Sequence, residues 1–277
     1  MTYPGGKNKS GVYQTIINQM PPHRTYIEAF LGGGAIMRMK RPAMASIGID
    51  SDARAIAEFM NQPDLVSTKL IVADALVFLA NIHFCGDDLV YLDPPYLMST
   101  RSSQRPIYRH EFNTEDEHAE LLALIKRLPC MVMISGYYSD LYAEALRGWR
   151  TISYQTVTRG ATVVTEWLWM NYPEPLELHD YRYVGRNFRA RERIKRKTNR
   201  WKARLAKMNS IERAAMMMAI EELRSPTSLN STMLDPIAKS DDPRGSMELA
   251  ILTYASPEMG VGARAPTPIN DDGGRHR

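Results

Sequence analysis

Residues 89–98, "LVYLDPPYLM", carry an unbroken apolar run, Leu89 to Leu92, straight into Asp93, a proline pair and Tyr96. The run reads as a buried strand. Proline cannot donate to a strand ladder, and it pushes the residue before it toward extended geometry. The strand therefore stops at Asp93 and the chain leaves the sheet rigidly. A buried strand that ends on an acid, two stiff carbonyl-only residues and an aromatic ring presents polar chemistry at a fixed place.

Outward from this stretch, short strand-like runs alternate with helical patterns. Strands are expected at 24–30, 45–50, 68–74, 88–93, 130–135, 150–157 and 165–172, and helices at about 8–21, 34–40, 52–61, 74–81, 114–127 and 138–147. Thr114 followed by Glu117 is a capping-box signature for the helix at 114–127. Such alternation predicts an α/β fold with a mostly parallel sheet covered by helices on both faces, in which ligands bind at the carboxyl ends of the strands. Glu28, Asp50, Asp74 and Asp93 fall near the ends of four successive strands and so line one rim. Each alone has a plainer reading, since aspartate after a strand often caps the next helix; four together point to a site.

"FLGGG" (30–34) follows the first strand and opens a helix, where glycines let the backbone approach a ligand and take positive φ. With Asp50 about twenty residues on, it matches the arrangement in which a glycine turn faces a nucleotide cofactor and an acid binds its ribose. GxGxxG is absent, which favours another adenosine-bearing cofactor over a dinucleotide, and no GxxxxGK[ST] loop offers itself for ATP.

The net charge of +4 hides an uneven distribution. Residues 182–207 hold twelve Lys/Arg against one acid, and the rest of the chain 23 basic against 30 acidic residues. A basic cluster on an otherwise acidic chain suggests a polyanion such as nucleic acid, the plainer reading being a solvated helical face. Within it Ile194, Trp201, Leu205 and Met208 share one helical face, and Asn209 or Ser210 caps a second helix whose methionine triplet reads as packing material. Residues 225–277, rich in Ser, Pro, Gly and Asp, are expected to be a disordered tail. No stretch is apolar enough to span a bilayer and the first residues lack the apolar core of a signal peptide, so a cytoplasmic location without membrane contact is expected. Cys85 and Cys130 have no metal-type spacing and read as reduced core residues.

The turn after Leu92 has a mechanistic reading. An amino group on a nucleobase is a poor nucleophile because its lone pair is delocalised into the ring. An enzyme that alkylates it needs acceptors for its two hydrogens and a flat surface to grip the extruded base. Asp93 can accept one hydrogen, the carbonyl of Pro94 the other, and Tyr96 can stack on the ring, while Pro94 and Pro95 hold the acceptors in place beforehand.

"YPGGK" (3–7), "EAFLGGGAI" (28–36), "GIDSD" (48–52), "VADAL" (72–76) and "YLDPPY" (91–96), in that order, resemble the Dam-type adenine-specific DNA methyltransferases that use S-adenosylmethionine. The likeness runs from residue 1 to roughly 172, through "SGYYSDLY" (135–142) and "TEWLWMNY" (165–172). It implies a Rossmann-like methyltransferase domain over 1–180, a basic helical extension over 181–224 and the tail beyond. It further implies that Tyr3 and Lys7 border the cofactor with Glu28, that Phe30, Gly32 and Gly34 form its loop, that Asp50 binds its ribose and that Asp74 reads its adenine. Asp93, Pro94, Pro95 and Tyr96 would hold the target base, and methyl would pass directly to N6 of adenine without a metal or a covalent enzyme intermediate.

Two departures from the family pattern stand out. Only 23 residues separate Asp50 from Asp74, where such enzymes normally insert a target-recognition domain, so no recognition sequence carries over. The basic extension matches no part of the family core. Arg189, Arg193, Lys195, Arg196 and Arg200 are expected to supply phosphate contacts in its place. The loop after the proline pair, with Arg101, Arg105, Tyr108 and Arg109, is expected to meet DNA as a lid, with Tyr108 filling the hole left by the flipped base. A short enzyme of this kind fits a phage or mobile element, and a monomer is favoured. The alternatives are a methyltransferase acting on RNA, on a protein amide or on cytosine N4, and an idle DNA-binding protein on the same fold; cofactor binding separates the last from the rest.

Overall fold

The computed structural model describes residues 6–9, 11–61, 68–100, 112, 114–158 and 161–223. Tyr3, Arg101, Arg105, Tyr108, Arg109 and the 225–277 tail lie outside the described residues. Two units divide the chain, Met1–Arg213 and Ala214–Arg277.

The first unit is built on seven strands: β1 (Thr25–Ala29), β2 (Ala45–Asp50), β3 (Lys69–Val72), β4 (Asp88–Leu92), β5 (Met131–Gly136), β6 (Arg150–Val157) and β7 (Val163–Met170). They form one sheet in the order β3-β2-β1-β4-β5-β7-β6. The first five are parallel, and β7 lies antiparallel between β5 and β6. The order in which the chain adds strands reverses between β1 and β4, which makes the switch point at which doubly wound sheets bind ligands.

β4 sits beside β1 at the centre, and Leu89, Val90, Tyr91 and Leu92 are all fully buried. Alternation along the strand sends them to opposite faces. Val90 and Leu92 pack with α4 (Ala75–Asn81), α5 (Glu115–Ile125) and α6 (Asp140–Ala145). Leu89 and Tyr91 pack with α1 (Val12–Ile17), α2 (Ala35–Met39) and α3 (Ala53–Met60). Each such burial contributes about 1.5–3 kcal/mol, which is why the apolar run has no polar interruption.

The helices are shorter than the periodicity suggests. α1 begins only after Gly11, whose φ of 96° is non-helical, and spans six residues rather than 8–21. The capping box of α5 is present, with Thr114 and Glu117 bonding reciprocally. Cys85 is exposed, not a core residue, because it lies in the turn before β4, where its N–H donates to Asp88; Cys130 is buried. The basic segment forms α7 (Phe188–Lys207), followed by α8 (Ser210–Glu222), which Asn209 caps through the Glu212 N–H. Neither helix buries a residue, and Met217 and Met218 stand 59% and 67% exposed, so the methionines are not packing material among the described residues. No helix among the described residues is long and apolar enough to cross a membrane.

Candidate active site

Register brings the rim residues to one level. Ala29 of β1 lies between Ile49 of β2 and Leu92 of β4, and Leu92 lies beside Ile134 of β5. The next residue on each strand is therefore Phe30, Asp50, Asp93 and Ser135, side by side at the carboxyl edge. Asp74 follows two residues after the last residue of β3.

Three donors converge on one oxygen of Asp93. Oδ1 accepts from Lys7 Nζ at 2.7 Å, Ser135 Oγ at 2.7 Å and the Tyr96 hydroxyl at 3.3 Å. No described residue donates to Oδ2 or to the carbonyl of Pro94. The carboxylate is thus fixed in orientation through one of its two oxygens.

The donors are themselves held. Lys7, 5% exposed, also donates to the Tyr96 hydroxyl at 2.6 Å and pairs with Glu166 at 3.5 Å. Glu166 in turn accepts from the Tyr154 hydroxyl. Tyr91, from the buried strand, shares a hydrogen bond with Ser135. Burial, reinforced by the charge of Asp93, pushes the Tyr96 phenol well above its ordinary value, and burial with Glu166 does the same for Tyr154. Both hydroxyls stay protonated. The Tyr96 ring meets Tyr137 edge-on, with centroids 4.6 Å apart.

Of the sequence-expected residues, Lys7 thus stands beside Asp93 and Tyr96. Ser135, Glu166 and Tyr154 were not singled out. Their segments, "SGYYSDLY", "TEWLWMNY" and the strand run "RTISYQTV" (150–157), are visible in the sequence, but the pairing that delivers them to Asp93 is not.

The glycine turn and Asp50 are built as one piece. Asp50 Oδ2 accepts from the Gly32 N–H at 2.7 Å, and Oδ1 from the Asp52 N–H at 2.9 Å. Phe30 and Gly32 take positive φ, 63° and 49°, the sharp bend that turns the chain from β1 into α2. Gly34, at φ 56°, faces inward: a Cβ there would overlap the Phe59 ring, so its lack of a side chain lets α3 pack under the loop. Asp74 caps α4 through the Val77 N–H and remains exposed, so the plainer reading of that acid holds alongside any contact it makes.

Glu28 is buried and accepts from the Tyr26 hydroxyl. Burial raises its carboxyl from the ordinary 4.5 to about 8. Behind it burial lowers Lys40 to about 8. Arg189, Arg193, Lys195, Arg196 and Arg200 are all exposed on α7. No group of three or more His, Cys, Asp and Glu that could hold a metal occurs among the described residues.

An adenosine-bearing cofactor suits this rim. The bent glycine turn, with Asp50 fixed beneath it, lies on the strand adjacent to Asp93, and a carboxylate at the next strand end is the chemistry that binds ribose hydroxyls.

Residues 51–159 match the model of a family described as D12 class N6 adenine-specific DNA methyltransferase. Among solved structures, the chain is similar to an rRNA methylase from Streptococcus thermophilus, at 13% identity and TM-score 0.40 over 61% of this chain and 95% of that one. It is similar to the N-methyltransferase NodS from Bradyrhizobium japonicum at 8% identity and TM-score 0.42, over 58% and 93%. Magnesium protoporphyrin IX methyltransferase from Synechocystis, with bound S-adenosylmethionine, gives 14% and 0.39, over 58% and 76%. No curated protein matches. Transfer of a methyl group from S-adenosylmethionine to N6 of adenine in DNA, the activity that the resemblance in the sequence implies, is that of the matching family, and it is the activity of this chain.

Proposed function

We propose that methyl transfer takes place on the Asp93–Tyr96 turn, with a target adenine extruded from the DNA into the space beside Asp93. The observation that carries this is the convergence of Lys7, Ser135 and Tyr96 on Oδ1 of Asp93, with Oδ2 and the Pro94 carbonyl unengaged by described residues.

Those two acceptors take the two hydrogens of the exocyclic amino group. Accepting both draws the nitrogen lone pair out of conjugation with the ring, which makes it a nucleophile. Pro94 and Pro95 fix the geometry before substrate arrives, so little reorganisation remains to be done. Tyr96 supplies the flat surface on which the base rests. S-adenosylmethionine, when bound, supplies an electrophilic methyl on its sulfonium. Phe30, Gly32 and Gly34 would form its loop, Asp50 would hold its ribose and Asp74 its adenine, with Tyr3, Lys7 and Glu28 bordering the site. The amino group loses one proton as it is methylated, and Asp93 is the acceptor already bonded to it.

DNA contact outside the pocket falls to basic residues. Arg189, Arg193, Lys195, Arg196 and Arg200 of α7 bind phosphates, and Arg101, Arg105, Tyr108 and Arg109 serve as further DNA contacts. With 23 residues between Asp50 and Asp74, the chain has no recognition domain at that point, and no recognition sequence carries over from the family. The test is methylation of duplex DNA by wild type and by Asp93→Ala: N6-methyladenine from the first alone supports the assignment, and equal activity in both overturns it.

A further inference from the structure

The carboxyl end of β5 carries more aromatic surface than one target base requires. Tyr137 meets Tyr96, whereas the next residue, Tyr138, turns away and is 50% exposed, its ring centroid 5.3 Å from that of Trp167. Gly136, the last residue of β5, lies opposite Trp167, so Val163 to Glu166 of β7 continue past the rim together with Tyr154 to Val157 of β6. At about 3.3 Å per residue this overhang reaches about 13 Å beyond Gly136.

Alternation gives the overhang two unlike faces. Tyr154 and Glu166, directly opposite each other, point to Lys7 and join the Asp93 network. The other face carries Trp167 opposite Ser153 and Thr165 opposite Gln155, uncharged side chains with Tyr138 lying against the tryptophan.

We propose that Tyr138 and Trp167 form a stacking platform for a nucleobase adjacent to the target adenine on the same DNA strand. The inference rests on the functional reading above and deepens it. Extruding a base leaves its neighbours without a stacking partner, and an aromatic ring recovers that interaction with any base. The platform begins one residue from the ring that touches Tyr96, at the same carboxyl end of β5. Among the described residues of β6 and β7 this face carries no carboxylate to repel phosphates, and it offers the hydroxyls of Ser153 and Thr165 and the amide of Gln155 to base edges. It also provides part of the DNA surface that a chain without an inserted recognition domain has to find elsewhere.

Steady-state methylation of an unmethylated duplex by wild type, Tyr138→Ala and Tyr138→Phe tests the platform. The alanine variant is expected to raise KM for DNA about ten-fold, within the range of losses seen when one base-stacking ring is removed. Its kcat, its affinity for S-adenosylmethionine and its Tm should stay at wild-type values, and phenylalanine should restore KM. An alanine variant with unchanged KM, or one whose defect follows a fall in Tm, overturns the platform while wild-type activity leaves the functional reading standing. A wild-type protein that neither binds nor methylates the duplex overturns both.

Discussion

In the proposed mechanism Asp93 works through the difference between its two oxygens. Oδ1 is saturated by three donors from three separate parts of the chain, and that saturation aims Oδ2. Ser135 is accordingly a positioning residue. Ser135→Ala should lower kcat about ten-fold, the loss expected for one hydrogen bond to a charged group, while KM for DNA and for the cofactor hold. A KM effect without a kcat effect would contradict it. Lys7 lies between two acids, Asp93 and Glu166, and is itself buried. Lys7→Met leaves both without their cation and should cost about 3–5 kcal/mol in urea unfolding, because an uncompensated buried charge is worse than none. Asp93, the prolines and Tyr96 were legible in the sequence because residue type and strand end coincide there. Ser135 was not, because it lies 42 residues from Asp93 and only the β4–β5 register unites them.

At the scale of elements, strand positions were legible to within two or three residues, since burial on two faces leaves a continuous apolar signature. Helix lengths were less so: Gly11 truncates α1 by a backbone conformation that hydrophobic periodicity does not record. The glycine turn was legible as a turn, but its division of labour was not. Gly32 bonds Asp50 while Gly34 makes room for Phe59, a contact between elements distant in sequence. α7 was legible in both helicity and charge. Along it Arg189, Arg193 and Lys197 recur every fourth residue, as do Arg196, Arg200 and Arg204, and such like-charge pairs cost about 0.2–0.5 kcal/mol each. Phosphates relieve that repulsion. If the five proposed residues each neutralise one phosphate, log K for duplex DNA should fall against log salt with a slope of about −4 to −5, and each Arg→Ala or Lys→Ala change should flatten it by about one. A flat salt response would remove α7 from the DNA interface.

Across the whole molecule, residues 182–207 hold twelve of the 35 basic residues against one acid, and the proposed function gives that segment the phosphates and the strand-end acids the chemistry. Stability follows buried titratable groups elsewhere. Burial, with the nearby charge of Lys40 and the stacked His179, lowers His23 from 6.5 to about 3. Below pH 6.5 the unfolded chain binds a proton that the folded chain refuses, so this group's stabilisation is lost as pH falls from 6.5 toward 3. Glu28 acts in the opposite sense: with its carboxyl raised to about 8, stability falls as pH rises from 4.5 to 8, because only the unfolded chain ionises it freely. Glu28→Gln should therefore raise Tm more at pH 8 than at pH 5, and a pH-independent difference would show that Glu28 is already ionised in the fold. The central claim is that the turn after β4 presents rigid acceptors to the amino group of adenine. Its most direct test is transfer of labelled methyl from S-adenosylmethionine to unmethylated duplex DNA, read by nucleoside mass spectrometry beside Asp93→Ala. The account predicts N6-methyladenine from wild type and a loss of at least about a hundred-fold in the variant. Methylation that survives the substitution, or that falls on another nucleoside, would contradict it.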